Sequence, residues 1–186
     1  MAEILIPAAE ISQQISLAGK EASGTGCMQL MMNGAVTVGT MEGANVEICE
    51  AVGKENAYIF GLNTHEVDEL WRNGYNSRAY YQSSPVLKGV IDRLYSPIAG
   101  QDFSHIAEYL INGFGGVADP FMCLADFDSY YYVSKNAAAD YVKRSDWGRK
   151  SLLNTAASGI FSSDNSIVKY ASEIWHANPV GESNGY

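Results

Sequence analysis

The spacing of apolar residues changes character near residue 62. Before that point, short β-branched or apolar runs alternate with helix-like spacing. Val36-Thr37-Val38-Gly39-Thr40 is β-branched and bounded by glycines, which predicts a buried strand. Tyr58-Ile59-Phe60, ending at Gly61, predicts a second short one. Ile4 to Ala8 reads as extended, with Pro7 disfavouring a central place in a sheet. Gly24-Thr25-Gly26 reads as a turn leading into a helical stretch of Met28, Leu30, Met31 and Met32, closed by Asn33-Gly34 as C-cap. Ala44 to Val52 reads as a helix stopped at Gly53. Helix, strand, helix, strand is how a right-handed parallel α/β unit appears in sequence.

From Thr64 onward the β signal largely disappears. Thr64 is a candidate cap for a helix reaching Trp71. Ser84-Pro85 is an N-cap followed by proline at the first helical position, opening a helix through Leu94. Asp126, Ser145 and Ser163 are candidate caps for three further helices, with Gly159 ending the middle one. The last helix is expected to end at Ile174-Trp175, followed by a frayed polar tail from Asn178 to Tyr186. Of Tyr130-Tyr131-Tyr132, helical spacing turns only one toward the core, giving a packed, half-exposed cluster rather than a stacking platform.

The fold class expected from this pattern is α/β. Residues 1–62 would form part of a doubly wound, Rossmann-like parallel sheet, and residues 63–186 a mostly helical remainder, together one domain. Two or three strands fall short of the roughly five or six of a complete sheet of that kind. A strand edge and one apolar flank would be left uncovered, pointing to a missing half or to a partner, which includes self-association through that edge.

The composition is globular: 47% hydrophobic and 18% charged over 186 residues, long enough for a sizeable core. A net charge of −9 argues against nucleic acid or an anionic membrane surface as partner. Cys27, Cys49 and Cys123 match no zinc or disulfide spacing, and each reads as a small buried apolar side chain in a reducing compartment. His65, His105 and His176 are far apart, so no metal site is expected. No basic start leads into a long apolar run, so neither a signal peptide nor a membrane span is expected, and the chain is placed in the cytoplasm.

The candidate chemistry lies in Glu21 to Gly26. Gly24 and Gly26 let backbone amides approach an anion, and the helix that follows offers N–H groups and the positive end of its dipole. Thr25 adds a hydroxyl donor. A plain strand-to-helix turn would carry the same residues, and an ordinary surface glutamate would look like Glu21.

The segment EASGTGCMQLMMNGAVTVGTMEGANVEI, Glu21 to Ile48, resembles the cofactor-bearing stretch of the α-glucan phosphorylases (glycogen, starch and maltodextrin phosphorylases). LIPAAEISQQISLAGKEASGTG before it, YIFG after it and FSSDNSIVKYASEIW near the end follow in family order, so the resemblance spans Ala2 to Trp175. It implies the C-terminal part of a two-lobed glycosyltransferase of the GT-B type. The family transfers an α-1,4-linked terminal glucose from glucan to phosphate, giving glucose 1-phosphate. Its cofactor is pyridoxal 5'-phosphate, whose phosphate group serves as proton donor and acceptor beside the substrate phosphate.

By motif position, Glu21, Ala22, Ser23 and Gly24 would hold the glucose hydroxyls, and Thr25 and Gly26 the cofactor phosphate. Gln29 stands where the family pattern, EASGTGNMK, has the Schiff-base lysine. A carboxamide nitrogen is delocalised into its carbonyl and cannot form an imine, so covalent attachment at Gln29 is not expected and no catalytic lysine is intact. Cys27 replaces the motif's asparagine, while Glu10 and Gln13 stand where aspartate and glutamate are commoner. The basic residues that grip substrate phosphate in the family lie upstream of this segment, and Lys20 reads as solvent-facing.

The implied function is therefore the C-terminal portion of an α-glucan phosphorylase, with α-glucan and phosphate as substrates, inactive without its upstream half. The alternative is a degenerate, non-catalytic module that binds carbohydrate or protein. A nucleotide-sugar glycosyltransferase of the same fold is a third reading, which the series from EASGTG to GANVEI disfavours.

Overall fold

The computed structural model describes residues 1–21 and 24–178. Three parallel strands lie in the order β1 (Ile11–Gln14), β2 (Val36–Gly39), β3 (Tyr58–Ile59), with Ile11 opposite Val36 and Val38 opposite Tyr58. Two crossover helices, α2 (Thr25–Met32) and α3 (Ala44–Val52), connect them. Strand side chains alternate between faces, and the two faces are covered differently. Cys27, Met31, Ile48 and Cys49 form a buried cluster on the α2–α3 side, joined by Ala157 and Phe161 at and beyond the end of α9 (Arg144–Ala157). On the other face Val38 and Phe60 pack with Ala137, Tyr130 and Val133 of the long helix α8 (Cys123–Tyr141). Burying an Ile48- or Met31-sized side chain contributes about 2–3 kcal/mol, which holds short helices that propensity alone would not.

The remaining helices pack beside this sheet. Leu87 and Ile91 of α6 (Pro85–Leu94) meet Ala107 and Ile111 of α7 (Ser104–Ile111) and Leu124, with Tyr80 and Tyr81 of α5 (Ser77–Ser83) packed against them. Leu17 and Ala18, in the loop after β1, meet Val67 of α4 (Thr64–Arg72) and Met122. As expected, Ser84 accepts a hydrogen bond from the Leu87 N–H with Pro85 at the first helical position, and Asn33-Gly34 closes α2. Tyr130 is the half-buried member of its trio, while Tyr131 and Tyr132 are exposed. The last helical turns run to Trp175. The tail expected to fray runs from Asn178 to Tyr186, and residues 179–186 of it lie outside the described residues.

Several expectations need correction. Ile4 to Ala8 is not extended but belongs to α1 (Ala2–Ala8), where Pro7 is the penultimate residue and forfeits only one backbone bond. The strand that precedes the turn is instead β1, whose ISQQ sequence hides it. Asn63, not Thr64, caps α4, in a capping box with Glu66. Ser162 rather than Ser163 caps α10 (Ser163–Lys169), and Lys143 precedes α9, with Ser145 inside it. Gly159 lies in a short 3-10 turn after α9 rather than at its end. Asp126 lies inside α8, where its carboxylate accepts from the Leu62 N–H at 2.8 Å. Cys27 and Cys49 are buried as expected, but Cys123 is exposed.

Strands β1 and β3 are the edges of this sheet. Near the β1 edge the apolar surface is open: α1 buries none of its residues, Ile4 is 71% exposed and Ile15 67%. The uncovered flank inferred from sequence is thus present among the described residues. No described helix is long and apolar enough to cross a membrane.

Candidate functional site

The carboxyl ends of parallel strands are where ligands bind in sheets of this kind, because the loops leave there and the following helices present their N-termini. Here the loop after β1 is fastened to the loop after β2. The Thr40 hydroxyl donates to the Ser16 carbonyl at 2.6 Å, and the buried Asn45 amide donates to the Thr40 carbonyl at 2.9 Å. Gly39 makes this approach possible, since a Cβ there would lie 2.7 Å from Asn45 Nδ2 and 3.1 Å from the Gln14 carbonyl oxygen.

The loop then reaches Gly24, whose left-handed backbone (φ 83°, ψ 70°) aims the start of α2. Among the described residues no side chain caps this helix, which leaves the N–H groups at its start, with the dipole behind them, to face an anion. Thr25 and Gly26 are exposed there, and a Cβ on Gly26 would meet nothing within 4 Å. Cys27, one residue on, is buried and donates its S–H to the Gly24 carbonyl at 2.6 Å. Burial pushes that thiol above its ordinary value, so it stays protonated and keeps donating.

Gln29 is exposed on the same side of α2 as Thr25, one turn further along. Together with Ile6 and Pro7 of α1, and with Met32 and Asn33, it lines an apolar groove of ≈ 290 Å³. The donor set suits a phosphate-bearing group at one end only. The uncapped turn, the Thr25 hydroxyl and the open side of Gly26 fit a phosphate. The carboxamide of Gln29 does not fit an aldehyde that needs an amine, and α2, with sequence TGCMQLMM, carries no lysine. Lys20 is exposed, as expected.

Glu21 is half-buried beside this turn, and the Ser16 hydroxyl donates to it at 3.4 Å. It shares a cleft of ≈ 550 Å³ with Glu42, Glu47 and Gly43 on one wall and Lys169 and Tyr170 on the other. Carboxylates in such a cleft suit a polyhydroxylated ligand, accepting hydrogen bonds from pairs of hydroxyls. Ala22 and Ser23, expected to join this group, lie outside the described residues. Sequence reasoning missed Glu42, Glu47 and Lys169. The first two lie in the MEGANVEI run that was read only as a marker, and Lys169 arrives from 120 and more positions away with no local signal. The backbone N–H of Gly19 donates to Glu42, fixing that side chain at the mouth of the loop. Among the described residues no group of three or more His, Cys, Asp or Glu side chains is placed to hold a metal ion.

Residues 1–177 match the family model described as carbohydrate phosphorylase. The chain is 45% identical over 183 residues to the brain form of glycogen phosphorylase from Homo sapiens, an alignment covering 96% of this chain and 21% of that protein. It is 44% identical, over the same shares, to the muscle forms from Homo sapiens and Oryctolagus cuniculus. The chain therefore spans about a fifth of the length of the curated relatives it matches.

Proposed function

The chain belongs to the carbohydrate phosphorylase family, and from that premise we propose that it is the C-terminal part of an α-glucan phosphorylase catalytic lobe whose cofactor lysine has been replaced. Thr25 and Gly26 bind the phosphate of pyridoxal 5'-phosphate through the first turn of α2. That group supplies a proton-relaying phosphate when bound. Gln29 occupies the imine position and leaves any such binding non-covalent. Glu21, Ala22, Ser23 and Gly24 hold the hydroxyls of the transferred glucose, and the ≈ 550 Å³ cleft accommodates the sugar. The substrates are α-glucan and phosphate, the lobe is of the GT-B type, and the compartment is the cytoplasm.

The observation that carries this reading is the shared exposed face of Thr25, Gly26 and Gln29 at an uncapped helix start. As given, the 186 residues do not catalyse phosphorolysis, because the cofactor has no covalent anchor to orient its phosphate and the clustered cations for substrate phosphate are not among their side chains. The open β1 edge and the apolar face of α1 receive the preceding part of the lobe, or a second copy of the chain in its absence. Supplying an upstream phosphorylase segment by co-expression, together with Gln29→Lys, is expected to yield glucose 1-phosphate from glucan. Silence from a soluble, associated complex would count against the reading.

A second reading is a non-catalytic carbohydrate module, favoured by one observation: the acidic cleft does not involve Gln29 at all. Calorimetric titration of the chain with a linear α-1,4-glucan, with and without pyridoxal phosphate, separates the two. Glu21-dependent binding that neither pyridoxal phosphate nor Gly26→Ala alters supports a module, and no heat of binding removes it.

A further inference from the structure

A second cavity lies at the carboxyl ends of the strands, on the face opposite the α2 turn. It encloses ≈ 210 Å³ between the ends of β1 and β3 and the first turns of α8. Its walls are Phe60, Phe121, Phe127 and Tyr130, with Asp126 at the bottom and Cys123 at the side. Ile15, immediately after β1, forms the rim. Asp126 is 7% exposed, and one of its oxygens accepts from the Leu62 N–H. Among the described residues no lysine, arginine or histidine forms an ion pair with it. The neighbouring Asp119 is fully buried and is satisfied by the Tyr75 hydroxyl and the N–H groups of Cys123 and Leu124.

A carboxylate lowered into an aromatic-walled pocket without a cation is an unbalanced arrangement. Its desolvation is offset by one backbone donor. Aromatic faces and a carboxylate together attract one ligand chemistry above others, an organic ammonium, held by the ring faces and by a charge-assisted hydrogen bond. The cavity is smaller than the range usual for drug-sized ligands, which limits the occupant to a single ring with a short amine arm. We propose that this pocket binds small aromatic amines, with the ammonium on Asp126 and the ring among Phe121, Phe127 and Tyr130. The site is separate from the α2 turn and does not depend on phosphorylase activity.

Cys123 offers a local reporter, because it is exposed at the pocket wall while Cys27 and Cys49 are buried. Partial desolvation and then the nearby Asp119 push its thiol up to about 11, so mildly alkaline conditions are needed for alkylation. The whole chain is treated with iodoacetamide in the presence of phenethylammonium or its neutral counterpart 2-phenylethanol, and modification is read by peptide mass. Saturable protection of Cys123 is expected, with the ammonium effective at a concentration about tenfold or more below the alcohol. Asp126→Asn, which keeps an acceptor for Leu62, should bring the two probes to parity, and Phe121→Ala on the open rim should weaken both. No saturable protection, or equal protection by both probes in the unaltered chain, would overturn the assignment. That comparison needs no variant, so a misfolded Asp126→Asn leaves it decisive, and protected Cys27 and Cys49 certify the fold.

Discussion

The Cys27 thiol donates to the Gly24 carbonyl across 2.6 Å, closing the turn from which α2 starts. The bond runs from a side chain of the buried cluster to the left-handed residue that aims the helix. It couples packing behind α2 to the geometry of the exposed face in front. Cys27→Ala removes this donor from a buried site and is expected to cost about 1–2 kcal/mol in urea unfolding. It should also weaken anion binding at Thr25 and Gly26 by loosening the turn.

Two glycines of the site are expected to respond with opposite signs. Gly26 is inside α2 with open space where a Cβ would go, so Gly26→Ala should stabilise the chain by about 0.5–1 kcal/mol through helix propensity. The same methyl narrows the approach to the backbone and should reduce binding of pyridoxal phosphate. Gly39→Ala drives a Cβ to 2.7 Å from Asn45 and 3.1 Å from the backbone of β1, and should destabilise by about 1–3 kcal/mol. Paired urea melts and absorbance titrations read both effects.

Alkaline pH tests the helical half. The Tyr75 hydroxyl donates to the buried Asp119 at 2.7 Å. Burial first, and then that hydrogen bond, keep it protonated far above the ordinary tyrosine value of 10.0. Its folded value is raised, so its contribution to stability is fully present below the ordinary value and is lost as pH climbs above it. Unfolding midpoints should fall steeply above about pH 10, the ordinary tyrosine value. Tyr75→Phe should start about 1–3 kcal/mol lower and fall less steeply. Parallel curves for the two chains would rule out this source of the pH dependence.

The central strand β2 was legible because its β-branched run is buried throughout. β1 was not, because its burial is met by polar side chains: Gln14 donates to the buried Ser12, and the Tyr130 hydroxyl, 117 positions away, donates to Gln13. Alternation of hydrophobicity cannot reveal a strand satisfied in this way. Asp126 carried a cap signal, and it does satisfy a backbone N–H, but at the end of β3 rather than on its own helix. The turn at Gly24 to Gly26 was readable as local chemistry. The acidic cleft was not, since it forms only when α10 is brought beside α3.

The most direct test of the cofactor reading is borohydride trapping with pyridoxal phosphate on the unaltered chain and on Gln29→Lys, with the adduct located by peptide mass. A reduced adduct at position 29 in the lysine chain, lost again when Gly26→Ala is added, is the expected result. It would show that the α2 turn seats the phosphate and that one side chain separates this protein from covalent attachment. Labelling spread over surface lysines, with position 29 no more reactive than Lys20, would contradict the assignment of this face to the cofactor.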